Sequence, residues 1–163
     1  MTSFVLDSHC LADLSHAVTA AGADLDVVLD AMNGLLERNE IECPPLVISE
    51  CRKYGEPSDR AMVWARTASA QFSRSSVSYA IVDEVVALCP EMVDVDGTEE
   101  NPQVEVLALT LARRREGVDA VVVTAQVTDT PLAMSLRTAA LRVQVPVFTP
   151  AEFVAHLVAS LGG

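Results

Sequence analysis

Aromatic residues and long apolar runs are both scarce in this chain of 163 residues. Phe, Trp and Tyr make up only 4% of the residues although half are apolar, so an aliphatic core is expected. No apolar run reaches the roughly 20 residues that a membrane-spanning helix needs. The opening residues lack the basic segment and apolar stretch of a signal peptide. We therefore expect one cytoplasmic domain covering residues 1–163, with no membrane partner.

Basic residues are also few. There are 11 of them against 23 acidic residues, which gives a net charge of −12, and Lys53 is the single lysine. This balance argues against broad electrostatic binding to nucleic acid but permits a local basic patch. Arg113, Arg114 and Arg115 form the one dense basic cluster. We interpret it as a favourable charge at the end of a helix, with contact to an RNA backbone as the alternative.

Cysteine and histidine offer little for a metal or nucleophile site. The four cysteines are widely spaced with no C-x-x-C pair, and only three histidines accompany them. Buried, reduced thiols are the expected state, and a zinc site is not supported. The sequence also contains no dinucleotide-binding, phosphate-loop, G-x-S-x-G or H-E-x-x-H motif.

Apolar patterning alternates between strand-like and helix-like segments. Strands are predicted at residues 3–7 and 120–124, with short or edge strands at 41–47 and 145–149, where prolines intervene. Helices are predicted at residues 9–20, 24–39, from about 48 onward, 59–72, 76–88, 102–116, 131–142 and 151–161. This alternation predicts a single-domain α/β fold with a parallel β-sheet flanked by helices on both faces.

Two acidic residues stand out against this expected fold. Asp7 follows the first apolar strand, so it is expected at the sheet edge where parallel α/β folds bind ligands. A carboxylate there is suited to a hard cation, but Asp7 also precedes a helix and is equally suited to cap it. Glu50 follows an apolar segment and is expected to open a helix, where it would serve either a site or the helix N-terminus.

Four segments in this order resemble the PIN-domain family of nucleases. Residues 4–8 (FVLDS) look like the family's opening strand with its first acid, and 47–50 (VISE) look like the segment with its second. Residues 119–124 (DAVVVT) and 145–153 (VPVFTPAEF) are similar to its late strand and its common ending. Trp64 adds a likeness to an uncharacterised bacterial subgroup. Together these segments span nearly the whole chain.

The resemblance implies an activity, a cofactor and partners. PIN domains gather three or four carboxylates at the strand ends to bind Mg²⁺ or Mn²⁺, which activates water for attack on an RNA phosphodiester. Many are toxins blocked by an antitoxin protein, and many form homodimers. The resemblance thus implies a metal-dependent ribonuclease (a hydrolase), with Asp7 and Glu50 as catalytic and metal-binding residues. Arg52, Lys53 and Arg60, close to Glu50 in sequence, are the predicted RNA contacts.

The sequence departs from the family at two acidic positions. Asn101 and Gln126 stand where the third and fourth carboxylates are expected. An amide oxygen can still bind Mg²⁺ but brings no charge to it, and Asn101 is kept as a predicted catalytic residue. Glu105 and Asp129 are the substitutes we predict, as a metal ligand and a catalytic residue respectively, and Glu100 is a further candidate. Each also has a structural interpretation: exposed loop or helix positions for the glutamates, and a helix cap for Asp129.

Three hypotheses follow. The first is an active metal-dependent ribonuclease, with the toxin of a toxin–antitoxin pair as one version of it. The second is a PIN-fold binding or regulatory protein with weak or no catalysis. The third is an unrelated parallel α/β domain, such as a receiver or a small-molecule-binding protein.

Overall fold

A computed structural model describes residues 1–72, 74–93 and 101–162. Its centre is a four-stranded, fully parallel sheet in the order β2-β1-β3-β4. The strands are β1 (Thr2–Leu6), β2 (Ile41–Glu42), β3 (Asp119–Val123) and β4 (Val147–Phe148). The two long apolar strands are therefore central and the two proline-flanked ones lie at the edges, as the sequence predicts.

Helices occupy most of the remaining described chain. Their bounds are α1 (Ser8–Ala20), α2 (Leu25–Glu37), α3 (Pro45–Tyr54), α4 (Arg60–Thr67), α5 (Tyr79–Leu88), α6 (Pro102–Arg115), α7 (Leu136–Arg142) and α8 (Pro150–Leu161). Single 3₁₀ turns follow α4 (Ser69–Phe72) and α5 (Pro90–Met92). Within the described ranges, none of these helices has both the length and the apolarity to span a membrane.

The sheet is covered on both faces. Side chains alternate between the two faces of a strand, yet every residue from 4 to 6 and from 120 to 123 is buried. The Phe4 ring packs edge-on against Phe153 of α8, with 5.0 Å between ring centroids, while α6 packs against β1 and β3. The predicted α/β fold with a parallel, helix-flanked sheet is confirmed.

The start of α3 differs from the prediction. Residues 46 and 47 were expected to end a short or edge strand, with a helix beginning near Ile48. Instead α3 begins at Pro45, because Pro44 is extended and Pro45 occupies the first helical turn, where proline's missing N–H costs nothing. The apolar run 46–48 is therefore helical, and Glu50 lies in the middle of α3 rather than at its start.

Helix α7 is shorter than predicted. Thr130 and Ala133 exchange backbone hydrogen bonds in a turn, and the helix begins only after Ser135, whose hydroxyl accepts from the Thr138 N–H. Pro131 therefore lies in a turn instead of opening the helix. Helix α5 also begins later than predicted, at Tyr79, and of its expected apolar stripe only Val85 is fully buried, whereas Leu88 is 48% exposed.

Candidate functional site

Asp7 is the first residue after β1 and is completely buried. Its carboxylate accepts the Cys10 N–H at 2.7 Å, which makes Asp7 the N-cap of α1. The second carboxylate oxygen accepts a hydrogen bond from the Thr124 hydroxyl. The capping role is thus present, and it fixes the carboxylate at the carboxyl end of the sheet.

Thr124 positions Asp7 from the neighbouring strand. The register pairs Leu6 with Val123, so the residues that follow β1 and β3 emerge side by side. Thr124 is fully buried, and its hydroxyl oxygen also accepts the Gln126 N–H at 2.9 Å. Sequence reasoning did not assign this partner to Asp7, although the end of a second parallel strand was the signal that could have found it.

Glu50 reaches the same end of the sheet from α3. It is half-buried and accepts a hydrogen bond from the hydroxyl of Ser8, the residue directly after Asp7. The expectation that Glu50 opens a helix was wrong, because its helix begins five residues earlier. The helix instead projects its side chain towards the start of α1.

His9 completes the polar group around Asp7. Its Nδ1 lies 3.4 Å from an Asp7 carboxylate oxygen and 3.2 Å from the Gln103 side-chain nitrogen. The hydrogen bond with Asp7 raises the His9 pKa above its usual value, partial burial opposes this, and the charges of Asp7 and Glu50 add to the increase. A protonated Nδ1 donates to Asp7, whereas an unprotonated Nδ1 accepts from Gln103. The sequence had suggested no role for any of the three histidines, His9 included.

A cleft of about 380 Å³ opens beside this group. We call it the α3 cleft. Its polar wall includes Ser8, His9 and Glu50, and its apolar wall includes Tyr54 and the buried Met62. The remaining lining residues are Ala12, Cys51, Gly55, Glu56, Asp59 and Gln103. Asp7 is not among the lining residues, since its carboxylate lies beneath Ser8 and His9 with no exposed surface.

The two amides at expected acid positions both cap helices. The Asn101 oxygen accepts the N–H groups of Gln103 and Val104, at 3.0 and 3.3 Å, at the start of α6. Its side-chain nitrogen donates to the Met92 carbonyl at 2.9 Å. The Gln126 side-chain oxygen accepts the Leu136 N–H at 2.8 Å, at the start of α7. Both amide oxygens are thereby committed to backbone donors.

The predicted substitute acids do not line the α3 cleft. Glu105 borders a different cavity together with Asn101 and Tyr79. Asp129 is exposed and accepts the Ser135 N–H at 2.8 Å, and this backbone bond is the main cause that lowers its pKa. Its predicted alternative, a role at the start of the next helix, matches this contact. Glu100 lies outside the described residues.

The predicted RNA-binding residues all lie on α3 or at the start of α4. Arg52 is exposed and donates to the Ser69 hydroxyl at 3.1 Å. The Lys53 ammonium lies 5.0 Å from the centre of the Tyr54 ring. Arg60 forms an ion pair with Asp26 of α2, which partly offsets its charge.

The arginine cluster at the end of α6 is engaged in ion pairs. Arg113 binds Glu42 through two nitrogens, at 2.8 and 2.9 Å, and Arg114 and Arg115 pair with Asp119 and Glu84 respectively. All three lie in the last turn of α6, where positive charge is favourable.

The chemistry of this site is that of hard oxygen donors. Asp7 and Glu50 carry two negative charges, and neither forms an ion pair with a Lys or Arg among the described contacts. This donor set suits a single divalent cation such as Mg²⁺. Within residues 1–72, 74–93 and 101–162, however, no three His, Cys, Asp or Glu side chains are grouped so as to hold a metal ion.

In comparisons with known proteins, no protein-family model matches the chain, and no curated protein matches it.

Proposed function

We propose that this chain is a PIN-type metal-dependent ribonuclease that hydrolyses RNA phosphodiesters at the α3 cleft. The observation that carries the proposal is the link between Asp7 and Glu50. Ser8, next to Asp7, donates to Glu50, so the second acid reaches the residue that follows Asp7 at the carboxyl end of β1. That edge is where ligands of parallel α/β folds bind.

A Mg²⁺ or Mn²⁺ ion would be held by Glu50, which lines the α3 cleft, and by Asp7 once its buried carboxylate gave up its hydrogen bond with Thr124 or Cys10. When bound, such an ion activates water and stabilises the charge that develops on the phosphodiester. The chain's own residues prepare this site. Thr124 and the Cys10 N–H orient the Asp7 carboxylate, and Ser8 orients that of Glu50. His9 holds a proton beside Asp7 when it is charged.

The proposed substrate is single-stranded or structured RNA. Arg52 and Lys53 are exposed on the same helix as Glu50 and are suited to contact the RNA backbone, and Arg60 is a third candidate once it leaves Asp26. An antitoxin protein that blocks the cleft and a homodimeric state are the partners we propose by resemblance to the family.

A catalytically weakened or inactive PIN-fold binding protein is the second candidate. The observation that favours it is the use of Asn101 and Gln126 as helix caps at two positions where the family resemblance implies acids. With two carboxylates instead of four, both cation affinity and water activation should fall.

A cleavage assay distinguishes the two candidates. Labelled RNAs, including tRNA, are incubated with Mn²⁺, Mg²⁺ or EDTA and with the unmodified chain, Asp7→Asn or Asn101→Asp. Asp30→Asn, which changes an exposed acid on α2, is the matched control. We expect metal-dependent cleavage that Asp7→Asn lowers by about 100-fold or more, since it removes a ligand charge.

Each outcome separates the candidates. Cleavage by Asn101→Asp alone supports the weakened protein, because restoring one carboxylate then restores activity. If neither the unmodified chain nor any variant cleaves RNA, the ribonuclease proposal is contradicted. Cleavage that survives both Asp7→Asn and EDTA places the activity at another site or in a contaminant.

A further inference from the structure

The α3 cleft is shaped by a tight exit from helix α3. Gly55 ends this helix, and a β-carbon added there would lie 2.4 Å from the Cys51 carbonyl oxygen and 3.1 Å from the Met62 sulfur. Only glycine fits so close to the backbone, and the chain therefore turns sharply from Tyr54 into the segment that carries Glu56. The result is the recess of the α3 cleft, the same cavity, with Tyr54 at its rim and Met62 at its base.

The recess has the size and surface for one small planar group. Its volume of about 380 Å³ is near the lower end of small-molecule sites, which span roughly 300 to 1,000 Å³. The Tyr54 side chain is 73% exposed. It is one of the few aromatic side chains in this chain. An exposed tyrosine beside an apolar floor is a surface on which an unpaired base can stack.

The charge of the recess selects among possible groups. Glu56 and Asp59 line it together with Glu50, and in the described contacts all three accept hydrogen bonds only from neutral donors. Without a bound cation these acids repel a phosphate, and they attract N–H donors. The Lys53 ammonium lies over one face of the Tyr54 ring, 5.0 Å from the ring centre, so a base would stack on the opposite face.

We propose that the recess binds a single unpaired guanine base of the RNA substrate, stacked on Tyr54 and recognised by Glu56. A carboxylate has two acceptor oxygens and no donor, and guanine presents two adjacent N–H donors on its Watson–Crick edge. Uracil presents one donor between two acceptors, which a carboxylate repels. Asp59 is less suited to this role because its carboxylate caps α4 through the Met62 N–H. This inference rests on the proposed RNA substrate.

The test is equilibrium binding without cleavage. A fluorescently labelled oligouridine and the same oligomer with one central guanosine are titrated with the full chain in EDTA at low salt, and anisotropy gives the Kd. We expect the guanosine oligomer to bind about tenfold more tightly, as a bidentate base contact provides. Tyr54→Ala should weaken its binding by about five- to 150-fold, the range for loss of one stacked base.

Matched variants separate stacking from recognition. Tyr54→Phe keeps the ring and should bind as the unmodified chain does, and Tyr79→Ala, which removes an exposed tyrosine on α5, should have no effect. Glu56→Gln should reduce the preference for guanosine over uridine to about twofold or less while Tyr54-dependent binding persists.

Several results overturn the proposal: equal affinity for the two oligomers, unchanged binding by Tyr54→Ala, or tighter binding of an arginine-containing peptide than of either RNA. A guanosine preference without metal-dependent cleavage would retain the base site and reject the ribonuclease. Cleavage with no base preference would retain the ribonuclease and reject the base site.

Discussion

At the scale of single residues, the surroundings of Asp7 show which contacts adjacent residues predict and which depend on pairing between distant parts of the chain. The acid at the end of β1 and its capping role could both be predicted, because each depends on adjacent residues. Thr124 and His9 were not assigned as its partners: the end of the second parallel strand pointed to Thr124 only once the register was known, and the His9 contact depends on side-chain direction. Asn101 and Gln126 were identified as departures from the family pattern, but their capping contacts needed coordinates.

His9 should make the stability of the metal-free protein depend on pH. Its contact with Asp7 raises its folded-state pKa above the unfolded value of 6.5. A raised pKa means that the stabilisation is fully present below that unfolded value and is lost as pH rises through the folded-state pKa. Because the His9 side chain is 44% exposed, we expect about 1 kcal/mol or less.

The measurement is urea unfolding of the unmodified chain and His9→Gln, in EDTA, at about pH 5.5 and about pH 8.5. The stability advantage of the unmodified chain should be larger at the lower pH. His16→Gln, which changes an exposed histidine of the same helix, is the control for replacing an imidazole by an amide. An advantage that grows with pH would contradict the assigned contact.

At the scale of elements, the sequence signals that worked were those with a local physical cause. Helix α2 begins within one residue of its predicted start, with Asp24 as its N-cap, and α6 begins at Pro102 and ends before Gly117 as predicted. The signals that failed involved proline. Pro131 was assigned to a helix start but lies in a turn, and the prolines before Leu46 were assigned to an edge strand but begin a helix. Proline is compatible with all of these states, so tertiary packing decides between them.

Two glycines should respond in opposite ways to the same substitution. Gly117 ends α6 with φ of +87°, and its N–H and that of Val118 satisfy the carbonyls of Arg114 and Arg113. Gly117→Ala should therefore destabilise the protein by about 1 to 2 kcal/mol, although nothing crowds the added methyl group. Gly34→Ala, inside α2, should stabilise it by about 0.5 to 1 kcal/mol.

Urea denaturation of both glycine variants against the unmodified chain provides the measurement. Each variant serves as the control for the other, because both add one methyl group. Destabilisation by Gly34→Ala would show that its new methyl group cannot be accommodated beside the Arg38 guanidinium, which lies 3.4 Å away.

At the scale of the whole molecule, charge is distributed unevenly. The net charge is −12, and six arginines form ion pairs with acids on the described surface: Arg38, Arg60, Arg113, Arg114, Arg115 and Arg142. The acids of the α3 cleft form none with Lys or Arg among those contacts. The cleft therefore has a concentrated negative potential, which favours a cation before an RNA phosphate approaches.

A divalent cation that binds this cleft should raise the melting temperature. A ligand that binds only the folded state stabilises it by about 2.7 kcal/mol at 100 times its Kd. We expect Mn²⁺ to raise Tm in a concentration-dependent way, and Glu50→Gln to abolish most of the increase. Glu37→Gln, at the end of α2, is the matched control. Differential scanning fluorimetry measures Tm with and without Mn²⁺. An equal increase in the Tm of Glu50→Gln would place the ion elsewhere.

The pairing of β1 with β3 has a consequence for how the protein is made. Thr2 lies beside Asp119, so the central strand gains its longest partner only after about 117 further residues have been synthesised. Until then the apolar segment of residues 4–6 has only the two-residue β2 as a neighbour, and Asp7 lacks the Thr124 hydroxyl. Contacts so distant in sequence form slowly. The chain must therefore be synthesised past Thr124 before Asp7 gains this hydrogen-bond partner, so the ordered carboxylate at the end of β1 forms later than the helices that precede it in the sequence.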